Sequence, residues 1–256
     1  MMKDRAKDSR QTFRLAKEAL VVSLAYFAYY VVRSQAANST LDAFQNAKQV
    51  IAFESRLGLF EELALQTATL SHDAIMHLSN VVYFYSHWPV VIVLAIWLFF
   101  RRPKVYSLVR NAFLITGAMA LVVYFAFPVA PPWQTTSEVI YTLKYSIVGT
   151  YKDSAWVNPY AAVPSMRVGI DLLIAIGMFM AFPKSRLSYL WFLFPLVAWI
   201  STVTTGMHYM IDGLAGMAVS AFGFALAVIA QCNWRSIELR LSNCLPILQK
   251  RQDNAD

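Results

Sequence analysis

The chain has 256 residues, 58% of them hydrophobic and 14% charged, and a formal net charge of +7, with a mean hydropathy of +0.47. Soluble domains carry about 25% charged residues, so this composition excludes a soluble enzyme and indicates an integral membrane protein. Two cysteines, Cys232 and Cys244, give no disulfide framework. Neither stands at metal-binding spacing from a histidine, so no metal site is expected.

Residues 1–17 form a basic tail, too mixed and too long before the first apolar run to read as a cleaved signal peptide. Apolar runs at about 15–33, 79–100, 111–127, 165–182, 187–205 and 209–231 read as six spans. Residues 34–77 read as amphipathic helices, with Leu41, Phe44, Val50, Phe53 and Leu57 among Asp42, Glu54, Glu61 and Glu62. They lie in the membrane interface or cap the bundle; the sequence does not choose. The run Phe127-Pro128-Val129-Ala130-Pro131-Pro132-Trp133 stops the third span. Residues 134–163 are then a loop whose Tyr141, Tyr145, Tyr151, Trp156 and Tyr160 suit headgroup depth. Residues 232–256 form a second basic tail, in which Trp234, Ile237, Leu241, Leu245 and Leu248 suit a short helix on the membrane surface. The fold expected is an all-α membrane protein, a six-helix membrane domain over 18–231 between two tails.

Six spans place both tails on one side. Sixteen of the 22 Lys and Arg lie there, in the tails and in loops 101–110 and 183–186. The positive-inside rule makes that side cytoplasmic. The net charge is therefore a topology signal, and no nucleic-acid partner is expected.

Two polar stretches meet this frame at its extracytoplasmic side. The sharper is Thr204-Thr205-Gly206-Met207-His208-Tyr209-Met210-Ile211-Asp212. Residues i and i+4 share a helix face, so Asp212 accepts from one imidazole nitrogen of His208 and leaves the other bare. A nucleophilic histidine needs that arrangement. Ionisable groups entering a membrane span are costly and mostly functional. The other stretch, Ala162-Val163-Pro164-Ser165-Met166-Arg167, opens the fourth span at the same membrane level.

Pro164-Ser165-Met166 followed by a basic residue, then His208-x-x-x-Asp212, resembles the type 2 phosphatidic acid phosphatase superfamily. Glu54-Ser55-Arg56-Leu57-Gly58-Leu59-Phe60-Glu61, Asn80-x-x-Tyr83-x-x-x-His87 and Phe127–Pro132 sharpen this to the branch resembling inositol phosphorylceramide synthase and its bacterial relatives. The resemblance implies a phosphate-ester hydrolase or phosphotransferase working through a phosphohistidine. Its substrate would be a lipid phosphate or phospholipid, in the plasma membrane of a bacterium, with no metal or other cofactor. Carried over, His208 is the nucleophile and Asp212 its orienting partner. Ser165, with its side chain and N–H, and Arg167 hold phosphate oxygens. Lys144 and Lys152 lie in the loop that carries further phosphate ligands. His87 and Tyr209 are supporting candidates.

The chain departs from the family at Arg167, where a second histidine would act as acid and base. A guanidinium stays charged and cannot donate its proton, and losing such help costs about 10²–10⁴-fold. Thr202 and Trp133 stand where arginines are common. Two readings follow: a lipid phosphatase or phosphotransferase impaired by Arg167, or a catalytically inactive phospholipid- or phosphate-binding protein derived from that family. For His87 the expected role is a hydrogen bond inside the bundle, with Asp171 paired to Arg167. A transporter fits less well, because no paired broken spans occur.

Overall fold

The computed structural model describes the backbone of residues 2–35, 40–145 and 158–252, and the side chains of 15–33, 40–145 and 158–233. Helix α1 (Met2–Gln35) begins well before the apolar run it contains. Helices α2 (Thr40–Leu57) and α3 (Glu62–Leu70) follow. Helix α4 (Asp73–Val81), a π turn (Val82–Ser86) and α5 (His87–Arg101) form one continuous rod. Helix α6 (Pro103–Ala126) starts with Pro103 in its first turn, where a missing N–H costs nothing. After the single turn α7 (Pro132–Thr135) come α8 (Met166–Ala181), a 3₁₀ turn (Arg186–Phe192) leading into α9 (Leu193–Thr204), and α10 (Met210–Gln252).

Among the described residues, five stretches are long and apolar enough to cross a bilayer: Leu15–Arg33, Asp73–Arg101, Pro103–Ala126, Arg186–Thr204 and Met210–Asn233. The expected span at 165–182 is α8, and its 16 residues fall short of the roughly 20 that a bilayer core takes. It is instead the most enclosed helix. Val168, Leu173, Ile174, Ala175 and Met178 are all buried, and it packs on α5, α6, α9 and α10. A helix apolar over most of its surface belongs in a core or a span. The surface helix read in 232–256 is a second difference: to Gln252 the backbone there continues α10.

Two devices bring α6, α8 and α10 together. Gly177 accommodates Leu98 and Val109, and Gly223 accommodates Thr116, where an added Cβ would clash. Helix α1 lies outside this core along α6, tied by Arg110 Nη1 to the Glu18 carboxylate at 2.5 and 2.6 Å.

At the other end of the bundle α2 and α3 form a cap whose buried stripe is unusually polar. On α2 the stripe is Ala43, Ala47, Val50 and Glu54; on α3 it is Glu62, Gln66 and Thr69. Gln66 donates to Ile140 O (2.7 Å) and Thr204 O (3.1 Å) and accepts from Ile140 N–H (2.7 Å). Asn80 accepts from Thr142 Oγ1 (2.7 Å) and donates to Thr142 O (3.1 Å). These amides satisfy loop backbone that would otherwise be buried unpaired.

Glu54 and Glu62 take the start of α10. Glu54 Oε1 accepts from Ile211 N–H at 2.6 Å, and Glu62 Oε1 from Met210 N–H at 2.7 Å. Each leaves its Oε2 buried without a hydrogen-bond partner among the described residues. Burial and the neighbouring Glu62 push Glu54 from 4.5 up to about 9, and burial raises Glu62 as well. The folded cap therefore keeps a proton that the unfolded chain releases near pH 4.5. Stability from this source is complete below that pH and is lost as pH rises toward 9. Thermal unfolding in detergent should accordingly shift to lower temperature between about pH 5 and pH 9. In Glu54→Gln, which keeps the acceptor for Ile211, that slope should be markedly shallower. An unchanged slope contradicts the assignment.

Candidate active site

The link between α9 and α10 is wound back on itself. Gly206 sits at φ +76, a region open to glycine at little cost. Met207 and His208 N–H both donate to Thr202 O, at 3.1 and 3.2 Å. This leaves His208 at the mouth of α10. Its Nδ1 lies 2.9 Å from Ala162 O and 3.1 Å from Asp212 Oδ2. A carbonyl oxygen can only accept, so Nδ1 carries a proton, and among the described residues Nε2 has no hydrogen-bond partner. The sequence offers Asp212 for this task; the carbonyl is a second and independent fixing point. Ala162 is itself held by a parallel bridge between Val129 and Ala161, with Ala162 N–H donating to Val129 O at 3.3 Å. Asp212 is fully buried. Its Oδ2 also accepts Tyr209 N–H at 2.9 Å, which closes the first turn of its own helix.

The Pro164–Arg167 turn is pressed against this helix. Ser165 N–H donates to Asp212 O at 2.9 Å, and a Cβ on Gly216 would overlap Ser165 O. Ser165 is therefore a packing residue in geometry. It is buried, its N–H is already used, and it does not line the cavity described next. Its N–H is thus taken by Asp212 O, while its Oγ is buried with no hydrogen-bond partner among the described residues.

Arg167 and His208 line one cavity of about 670 Å³ together with His87, Tyr83, Arg33 and Trp133. Ligand pockets run to about 300–1,000 Å³. The same cavity continues between α1 and α6, past Phe113, Leu121, Met166 and Ile170. One end is thus cationic and polar, and the other is apolar.

Arg167 Nη1 donates to Tyr83 O at 2.6 Å, and its guanidinium lies 4.0 Å from the Tyr83 ring centroid, a cation–π contact. It does not pair with Asp171. That carboxylate instead holds His87, with Nδ1 2.6 Å from Asp171 Oδ1 and both groups buried. His87 thus makes the expected hydrogen bond inside the bundle, but its partner is Asp171, which was expected to pair with Arg167. The physical reason is register: Tyr83 and His87 stand one turn apart on their rod, as Arg167 and Asp171 do on α8, so the rungs match in order.

Other expected residues lie elsewhere. Lys144 is exposed, its ammonium 4.8 Å from the Tyr145 ring centroid, and it does not line the cavity. Lys152 lies outside the described residues. The Tyr209 hydroxyl is engaged with Thr135 Oγ1 (2.6 Å) and Ala130 O (3.1 Å), so it braces the Pro-rich turn. Arg33 joins the cavity without having been singled out by sequence. Its Nε is buried with no hydrogen-bond partner among the described residues, its guanidinium lies 5.6 Å from the Tyr124 ring centroid, and Asn158 holds its carbonyl at 2.9 Å. The available signal was positional: Arg33 ends its span on the side where spans four and six begin.

Residues 48–226 match the family model described as the PAP2 superfamily. The catalytic subunit aur1 of inositol phosphorylceramide synthase from Schizosaccharomyces pombe is 23% identical over 177 residues, which cover 61% of this chain and 41% of the yeast protein. The chain thus spans well under half of that relative. No solved structure matches. The family match takes in the His208–Asp212 helix, the Arg167 turn and the cap glutamates alike, and the chain belongs to the PAP2 superfamily.

Proposed function

We propose that the protein is a membrane lipid phosphatase or phosphotransferase that cleaves a lipid phosphate ester through a phosphohistidine on His208. The observation that carries this reading is the fixed tautomer. The Ala162 carbonyl and Asp212 hold the proton on Nδ1, and Nε2 is left bare in a ring that lines a cavity shared with Arg167. The family and the yeast relative, whose name specifies inositol phosphorylceramide synthesis, favour the same class of chemistry. The cavity's two-ended character suits an amphipathic ester, with phosphate between Arg167 and His208 and acyl chains along α1 and α6. Arg167 spends one N–H on Tyr83 and keeps others for phosphate oxygens. Cationic and N–H donors are sufficient to offset the developing charge.

In this reading α8 completes a six-span bundle, with α2 and α3 over its outer end. Both termini are cytoplasmic and the site opens outward in a bacterial plasma membrane. The Lys and Arg distribution supports that orientation.

Arg167 favours a second reading, a protein that binds lipid phosphate without turning it over, because guanidinium supplies no proton. Release of phosphate or diacylglycerol from a lipid panel decides between them. The enzyme reading predicts multiple turnover, lowered by on the order of 10⁴–10⁶-fold in His208→Ala. Binding without turnover in the unaltered protein supports the second reading. Arg167→Gln should weaken competition by orthovanadate or inorganic phosphate. Hydrogen bonds to a charged group are worth about 1.5–3 kcal/mol, or roughly 10–100-fold in affinity. Unchanged competition removes Arg167 from the phosphate site.

A further inference from the structure

The departure at Arg167 leaves the reaction without the histidine that would protonate the leaving oxygen. A second histidine–aspartate pair lies one turn deeper, with its histidine lining the same cavity and its aspartate buried behind it. His87 lines that cavity, and its Nδ1 is 2.6 Å from Asp171 Oδ1, with side chains 3% and 0% exposed. Among the described residues Asp171 is the only hydrogen-bond partner of the His87 ring, so Nε2 is uncommitted. The ring begins α5 directly after the π turn Val82–Ser86, and π turns inside helices recur at functional sites. Two rungs join this rod to α8: Arg167 on Tyr83, then Asp171 on His87.

Resting on the reading of His208 as nucleophile, we propose that His87, oriented by Asp171, is the general acid and base that a histidine at position 167 would otherwise supply. Depth favours it. Arg167 opens α8 and Asp171 is one turn further in, about 6 Å along the axis. In this arrangement the phosphate held at Arg167 has its lipid-side oxygen toward His87. When the ester is cleaved, His208 Nε2 bonds to phosphorus and the P–O bond to the lipid alcohol breaks. The departing oxygen takes the proton from His87 Nε2. In the second half, neutral His87 Nε2 takes a proton from water or an acceptor hydroxyl as that oxygen bonds to phosphorus and the P–N bond breaks. Asp171 offsets the imidazolium charge and keeps the other proton on Nδ1. The pair also explains a costly feature: an ionisable couple inside a bundle is retained where it has work to do.

Leaving-group dependence tests this. The full-length protein and His87→Gln are mixed with a dialkylglycerol phosphate and, separately, with 4-nitrophenyl phosphate, whose leaving group departs without a proton. In His87→Gln the first turnover of the lipid ester should fall about 10²–10⁴-fold. The nitrophenolate burst should persist at near the unaltered rate, which also shows the variant to be folded. Equal loss on both substrates, or no loss on either, overturns the proposal. If His87→Gln does not fold, Asp171→Asn carries the same test, since an amide no longer favours Nδ1–H and should produce the same split. The parent reading fails differently: an unaltered protein that binds both esters and turns over neither rules out the enzyme and His87's role together.

Discussion

The site depends on how closely two helix starts approach. Gly216 on α10 takes the Ser165 carbonyl into the space of a missing side chain, and Gly169 on α8 does the same for Gly216 O and Ser220 Oγ. With the backbones in contact, Ser165 N–H reaches Asp212 O at 2.9 Å. That hydrogen bond, with the one from His208 Nδ1–H to Ala162 O, fixes the Pro164–Arg167 turn relative to the His208–Asp212 turn. A methyl group at position 216 would separate them, and the guanidinium and imidazole would no longer share one cavity. The chemistry is therefore set by backbone packing before any side chain contributes.

The cap completes what the glycines begin. The first N–H groups of a helix have no partners of their own, and those of Met210 and Ile211 are supplied by Glu62 and Glu54 from α3 and α2. Asp212 supplies Tyr209 from within. Three carboxyl groups thus converge on one helix start, where its dipole favours negative charge. Burial makes full ionisation of the two cap glutamates unfavourable. A proton held there reconciles the geometry with the electrostatics.

Much of this was legible in the sequence, and the rest was hidden for identifiable reasons. Span positions followed from apolar runs because backbone in lipid must satisfy itself. Helix α8 is harder to read, because a helix buried by protein and one buried by lipid have the same composition. His208 and Asp212 were readable from their i,i+4 spacing, which is local. The second support of His208, Ala162 O, is a backbone atom 46 residues away and carries no residue-type signal. The His87–Asp171 pair was missed because the register of two helices decides it, and sequence gives each helix its own period but not their relative shift. Glu54 and Glu62 read as the polar face of amphipathic helices; their burial reverses that reading. Lys144 matched by loop position alone, and position in a long loop does not determine direction.

Taken together, the cavity combines a bare imidazole nitrogen, a clamped guanidinium and an apolar extension, within a chain of the PAP2 superfamily. The central claim is a covalent bond between His208 Nε2 and phosphorus. Rapid acid-free quenching during turnover of a phosphorus-labelled lipid phosphate, followed by peptide mass analysis, tests it directly. The account predicts an acid-labile, base-stable phosphoramidate on the peptide containing His208 and on no other. Turnover with no such adduct, or with phosphate on a different residue, would contradict it.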